Sequence, residues 1–185
     1  GGVAIIAGQC TFDVTVLEII EGVVEVQGSA GDARLGGDDF TEALLGWVTK
    51  ETGLKLAAGG TSEARLREAC ELAKRRLGRE PETRVVVPGI EVPGRAPHDL
   101  DVRLDRASAQ GAYAPLLQRM RGPITRAIRD AGVALGDIQE VLLVGGATRM
   151  PEVAQLATEL FGKLPQRTLH PDESVAVGAA VQAAL

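Results

Sequence analysis

A four-residue apolar run, Val141-Leu142-Leu143-Val144, leads directly into Gly145-Gly146-Ala147-Thr148-Arg149 and then Met150-Pro151. Two glycines after a buried strand let backbone come near a ligand. Pro151 suits the first turn of a helix, whose N–H groups and positive dipole end favour an anion. Arg149 has the flat guanidinium that stacks on a purine ring. An ordinary tight strand-to-helix turn accounts for the same residues, and both readings stand at this point. A second group is Glu71, Lys74 and Arg75, spaced three and four apart so that they share one helix face. That face either meets a ligand or is a solvated ion-pair ladder, and periodicity alone does not choose. In Gly36-Gly37-Asp38-Asp39, the glycines can admit a phosphate or ribose, while capping and dipole effects already explain the aspartates. The turn Gly8-Gln9-Cys10-Thr11 has one glycine only, which makes it a poor nest for phosphate.

Other chemistry finds no constellation. His98 lies in a Pro/Gly-rich loop and His170 before a helix, neither arranged with an acid or cysteine as a triad, so both read as surface or packing residues. Ser29, Ser62, Ser108 and Ser174 lack the context of a nucleophile elbow. Cys10 and Cys70 lie far apart with no metal-ligand spacing, which suggests reduced thiols. The net charge of -5 argues against binding driven by nucleic-acid phosphates. No apolar run reaches membrane-span length and no signal peptide is read at the start.

The elements that must carry these groups follow from hydrophobic spacing. Val3 to Ala7 and the alternating Phe12 to Ile20 predict strands, the second with Phe12, Val14 and Val16 on one face. Glu21-Gly22 turns the chain into Val23–Val26, completing a three-stranded meander. Phe40, Ala43, Leu44, Trp47 and Val48 form a helical stripe that Gly53 can end. Ser62 is the expected cap of a second helix, with Leu66, Ala69, Cys70, Ala73 and Leu77 on one face. Short strands at Thr83–Val87 and Leu100–Leu104 flank the loop from Pro88 to Pro97. A helix over Asp105–Met120 and a separate one over Ile124–Ala131, opened by Pro123, precede the Val141 strand; Pro171 opens a last helix. With aromatics at 3% of 185 residues, the core is expected to be aliphatic.

Taken in order, Thr11-Phe12-Asp13-Val14, Gly36-Gly37-Asp38-Asp39-Phe40, Glu71-Leu72-Ala73-Lys74-Arg75, Val144 to Pro151, and Pro171-Asp172-Glu173 with Gly178-Ala179-Ala180 resemble the DnaK-type heat-shock chaperones over nearly the whole chain. The resemblance implies an α/β fold: the second lobe of an actin/sugar-kinase-like ATPase, a five-stranded mixed sheet with helices plus a small α+β subdomain. Residues 1–36 and 123–185 would form the larger subdomain and 37–122 the smaller. By similarity, Glu71, Lys74 and Arg75 would contact adenosine. Gly145, Gly146 and Arg149 would contact phosphate and adenine, Asp172 would lie near the base, and Gly36, Gly37 and Asp38 would face the ribose and phosphates.

The departures matter as much. Where the family has Asp-Leu-Gly-Gly-Gly-Thr, this chain reads Ile6-Ala7-Gly8-Gln9-Cys10-Thr11. Ile6 replaces a carboxylate that helps hold hydrated Mg²⁺, and Gln9 and Cys10 add side chains beside the phosphates. Gly78 stands where the family has a serine near the adenine, and His170 where it has asparagine. The implied function is the ATP- or ADP-binding half of a chaperone ATPase domain. It would need the first lobe for hydrolysis, with a co-chaperone or nucleotide-exchange factor as partner, in a bacterial cytoplasm or an organelle matrix or stroma. The alternative is a pseudo-ATPase serving as a non-catalytic interaction module. A sugar or acetate kinase fits poorly, because the helix motif from Glu71 belongs to the chaperones.

Overall fold

In the computed structural model, residues 1–167 are described, and they separate into two compact units. One joins Gly1–Gly37 to the chain from Leu117 onward; the other is Asp38–Leu116. The last helix expected from Pro171, with Asp172, lies outside the described residues.

The first unit is built on a mixed sheet. Strand β1 (Gly2–Ala7) pairs antiparallel with β2 (Phe12–Ile20), which pairs antiparallel with β3 (Val23–Asp32). On its other side β1 takes β6 (Glu140–Val144) in parallel, giving the order β3-β2-β1-β6. Beyond β6, Gln166 makes a parallel bridge to Leu142, its N–H donating to Val141 and its carbonyl accepting from Leu143. The apolar run Val141–Leu143 is fully covered, as a parallel strand with both faces packed requires. This is the mixed α/β architecture that the resemblance implies.

Two details differ from simple alternation. Thr15, on the face opposite Phe12 and Val14, is also buried, and its hydroxyl meets Ser29 Oγ at 3.4 Å. The strand is covered on both sides along its first half, while Ile19 and Ile20 end exposed. β3 runs to Asp32 rather than stopping at Val26. A register shift between Val16 and Leu17 passes over Gln27, and the small polar stretch beyond it stays in the ladder. Pairing with β2 overrides its low strand propensity. Gly28 is required there: a Cβ would stand 2.6 Å from the Ala127 carbonyl oxygen, so the helix carrying Ala127 lies directly on the strand.

That helix, α3 (Arg106–Ala131), is the clearest correction to the sequence reading. It is one continuous 26-residue helix through Gly122 and Pro123, not two. Proline lacks the N–H that would bond the Arg119 carbonyl, at a cost of about 3 kcal/mol. Met120, Pro123, Ile124, Ala127 and Ile128 nevertheless form an uninterrupted buried stripe. Each large side chain so covered returns about 1.5–3 kcal/mol, so the stripe outweighs the lost bond. Arg119 fixes the same segment to the sheet edge, bonding both oxygens of Asp32 at 2.9 and 3.1 Å. The Arg34 N–H, ahead of the cost of burial and the help of Arg119, holds the Asp32 carboxyl below its ordinary value.

The second unit carries α1 (Gly37–Thr52), α2 (Thr61–Leu77), the hairpin β4 (Glu82–Ile90) with β5 (His98–Asp105), and the start of α3. Phe40, Leu44 and Val48 of α1 are buried, with Phe40 meeting Tyr113 edge-to-face at a ring separation of 5.1 Å. Thus the few aromatics join the aliphatic core instead of standing outside it. Leu66, Cys70, Ala73 and Leu77 of α2 pack over β4, where Thr83, Val85 and Val87 alternate inward. Ser62 does not cap α2. Gly60 occupies the N-cap without a side-chain bond, and the Ser62 hydroxyl accepts the N–H of Glu91. Asp105 does cap α3, accepting the Ser108 N–H at 2.8 Å.

Candidate functional site

In the first unit, three stretches meet on the turn between β1 and β2. Gly8 closes that turn, its N–H donating to the Thr11 carbonyl at 2.9 Å. The Gly8 carbonyl in turn accepts the Gly37 N–H at 3.0 Å, which anchors the start of α1 to the end of β1. Gly36 is so close that a Cβ would stand 2.5 Å from the Gln9 carbonyl oxygen. From the other side comes Gly145, with φ of 99°, its Cβ position 2.4 Å from the Ala7 carbonyl oxygen. A side chain fits at neither glycine. Antiparallel β1–β2 and parallel β1–β6 pairing create this meeting point, because they bring the ends of β1 and β6 and the start of β2 to the same end of the sheet.

After Gly145 the chain makes a 3₁₀ turn, Gly146–Arg149, before α4 (Pro151–Phe161) begins with Pro151 at N1. The Thr148 N–H and hydroxyl both bond the Gly145 carbonyl, locking the turn. Gly145, Gly146 and Arg149 are exposed, as are Gln9, Cys10 and Thr11. Gly36 and Gly37 are buried, with Asp38 exposed in the first turn of α1. The glycine-bearing segments singled out from sequence are therefore neighbours in one unit. The turn at Gly8, which looked the weakest, is the hub they share.

In the second unit the Glu71 cluster is compact. Glu71 Oε2 accepts from Lys74 Nζ at 2.7 Å and from the Thr41 hydroxyl at 2.5 Å; Oε1 accepts from Arg75 Nε at 2.9 Å. Lys74 Nζ also donates to Thr41 Oγ1 at 3.0 Å. Lys74 is 9% exposed, whereas Arg75 is 75% exposed. Burial works against ionising Glu71, but bonds from Lys74 and Thr41, the Lys74 charge and the Arg75 bond outweigh it, holding the carboxyl below its ordinary value. The sequence reading missed Thr41. The available signal was its place beside Phe40 on the α1 face that meets α2, but a lone threonine on a helix points to nothing without that contact.

Asp172 and Pro171 lie outside the described residues. Among the described residues, no three of the His, Cys, Asp and Glu side chains are grouped to hold a metal ion, and Ile6 supplies no carboxylate at the end of β1.

The model of the family described as Hsp70 protein matches residues 3–185. This chain belongs to the Hsp70 family. It is 46% identical over 182 residues to a protein named chaperone protein DnaK from Thermus thermophilus, covering 95% of this chain and 30% of that protein. The chaperone protein DnaK of Thermotoga petrophila is 44% identical over 183 residues, covering 96% of this chain and 31% of that protein. The chain thus spans about a third of the length of these curated relatives. Among the described residues, no helix is long and apolar enough to cross a membrane.

Proposed function

We propose that these 185 residues are the adenine-nucleotide-binding half of a DnaK-type chaperone ATPase domain and do not turn over ATP by themselves. The observation that carries the reading is the meeting of Gly36–Gly37 and Gly145 on the Gly8 turn, in a chain of this family. Gly145, Gly146 and Arg149 would bind phosphate and adenine, and Gly36, Gly37 and Asp38 would face the ribose and phosphates. Glu71, Lys74 and Arg75 would take the adenosine; Asp172 would lie near the base. ATP or ADP would bring the γ- or β-phosphate to be stabilised electrostatically, and any Mg²⁺ would be held by those phosphates rather than by Ile6. The remainder of an ATPase domain would supply the catalytic groups. A co-chaperone or exchange factor on the smaller unit would be the partner, in a bacterial cytoplasm or an organelle matrix.

A second reading has an observation of its own. Gln9 and Cys10 expose side chains on the shared turn where phosphate would lie. A fold retained as a docking module, with nucleotide binding lost, accounts for that turn.

Calorimetric titration with ADP and Mg²⁺, of the chain alone and with the rest of an ATPase domain supplied, separates the two. Binding is expected, and Arg149→Ala should weaken it about tenfold, the loss of one stacked or charge-assisted contact. Absence of binding under both conditions sinks the nucleotide reading in favour of the docking module. Binding that Arg149→Ala leaves unchanged means the base lies elsewhere. Phosphate release by the isolated chain above a buffer blank would refute its inactivity.

A further inference from the structure

We propose that Thr41 is a positioning residue for nucleotide recognition, holding Glu71 and Lys74 in a single arrangement; this rests on the nucleotide reading above. The geometry is specific. Lys74 and Arg75 reach Glu71 along their own helix, one turn away, as many solvated helix faces do. Thr41 comes from a different helix, α1, and is 4% exposed. Its hydroxyl has one proton and acceptor lone pairs, and both capacities are engaged: it donates to Glu71 Oε2 and accepts from Lys74 Nζ. A mobile ion-pair ladder thereby becomes a triangle with one solution. Oε2 is turned toward α1 and occupied twice, so Oε1, which carries only the Arg75 bond among the contacts described, is the oxygen presented for a ligand donor. Without Thr41 the Glu71 side chain regains its rotamers, and ligand binding must order it again.

The test compares Thr41→Val, which keeps the shape, with Thr41→Ser, which keeps the hydroxyl, in the full chain under the conditions in which the parent binds ADP. Thr41→Val should weaken ADP about five- to tenfold, the loss of one hydrogen bond to a charged group. Thr41→Ser should stay within about twofold of the parent. The Glu71 carboxyl, followed by ¹³C NMR, should titrate higher in Thr41→Val and near the parent position in Thr41→Ser. Circular dichroism establishes that each variant is folded. Unchanged ADP affinity in Thr41→Val overturns this inference and leaves the nucleotide reading intact. Equal weakening by Val and Ser also overturns it, since that is a packing effect. A parent chain that never binds ADP defeats the nucleotide reading and the ligand role of Thr41 together. The carboxyl titration then decides independently whether Thr41 holds the pair.

Discussion

Replacing Gly145 by alanine tests the backbone geometry on which the first unit is assembled, and Gly146 is its internal control. Gly145 has φ of 99° and ψ of 163°, a region almost closed to side chains, where strain costs about 1–3 kcal/mol. A Cβ there would also stand 2.4 Å from the Ala7 carbonyl oxygen and 2.9 Å from its carbon. Neither atom is the free end of a side chain; both belong to β1, which is paired on its two sides. Relief therefore requires shifting a central strand or the turn, at about 1–3 kcal/mol more. The combined loss is about 4 kcal/mol. For a chain of this size that lowers the melting temperature by roughly 10 °C. Gly146, one residue on, is exposed, and a Cβ would meet nothing within 4 Å. Gly146→Ala should be neutral or gain up to about 1 kcal/mol by restricting the unfolded chain. Urea unfolding followed by circular dichroism measures both. If Gly145→Ala unfolds within about 1 kcal/mol of the parent, or if the two variants lose stability equally, the close approach of Gly145 to β1 is wrong.

Two further outcomes rest on the ionisable groups. The Glu71 carboxyl is depressed in the folded chain, so its stabilising contribution is complete above its unfolded value near 4.5 and is lost as pH falls through its lower folded value. Glu71→Gln should therefore cost about 1 kcal/mol at neutral pH, a small figure because Arg75 is mostly in water, and the difference in urea midpoint should close as the solution is acidified below the unfolded value; a gap that persists or widens in acid contradicts the cluster. Burial, ahead of the nearby Glu42 charge, pushes the Cys70 thiol up to about 12, while Cys10 is exposed. A thiol reagent at neutral pH should label one cysteine quickly and the second only on unfolding, and ADP should slow the first. Rapid labelling of both in the native chain would refute the burial of Cys70.

The sheet was legible because its strands announce themselves twice, by alternation in β2 and by an unbroken apolar run in β6. Turn residues did the rest at Glu21-Gly22 and Gly145. Where local signals and packing disagreed, packing won. Pro123 reads as a helix start, yet the stripe from Met120 to Ile128 carries the helix through it. Ser62 reads as a cap, yet its hydroxyl is drawn to the Glu91 N–H from the hairpin side. The candidate site was legible as separate motifs but not as an assembly. Spacing placed Glu71, Lys74 and Arg75 on one face without revealing Thr41, because a bond between α1 and α2 has no local signature in the sequence. The importance of the Gly8 turn was hidden for the same reason: its partners Gly37 and Gly145 are distant in sequence and are brought in by strand pairing.

Not all of these residues bear equally on what the chain binds. Gly36 and Gly145 each approach backbone too closely to admit a side chain, so a substitution there would disturb the fold before it reported on a ligand. Gln9 and Cys10 are exposed on the same turn, where an approaching ligand or partner would meet them. Arg75 and Arg149 are the informative cations. Arg75 is 75% exposed, and its bond to Glu71 is of a kind that contributes little to stability; Arg149 projects from a turn already closed by Thr148. Under the proposed function these two arginines would be contacts to the nucleotide. Binding tests should therefore be made at these two arginines, where a lost ligand cannot be confused with a lost fold.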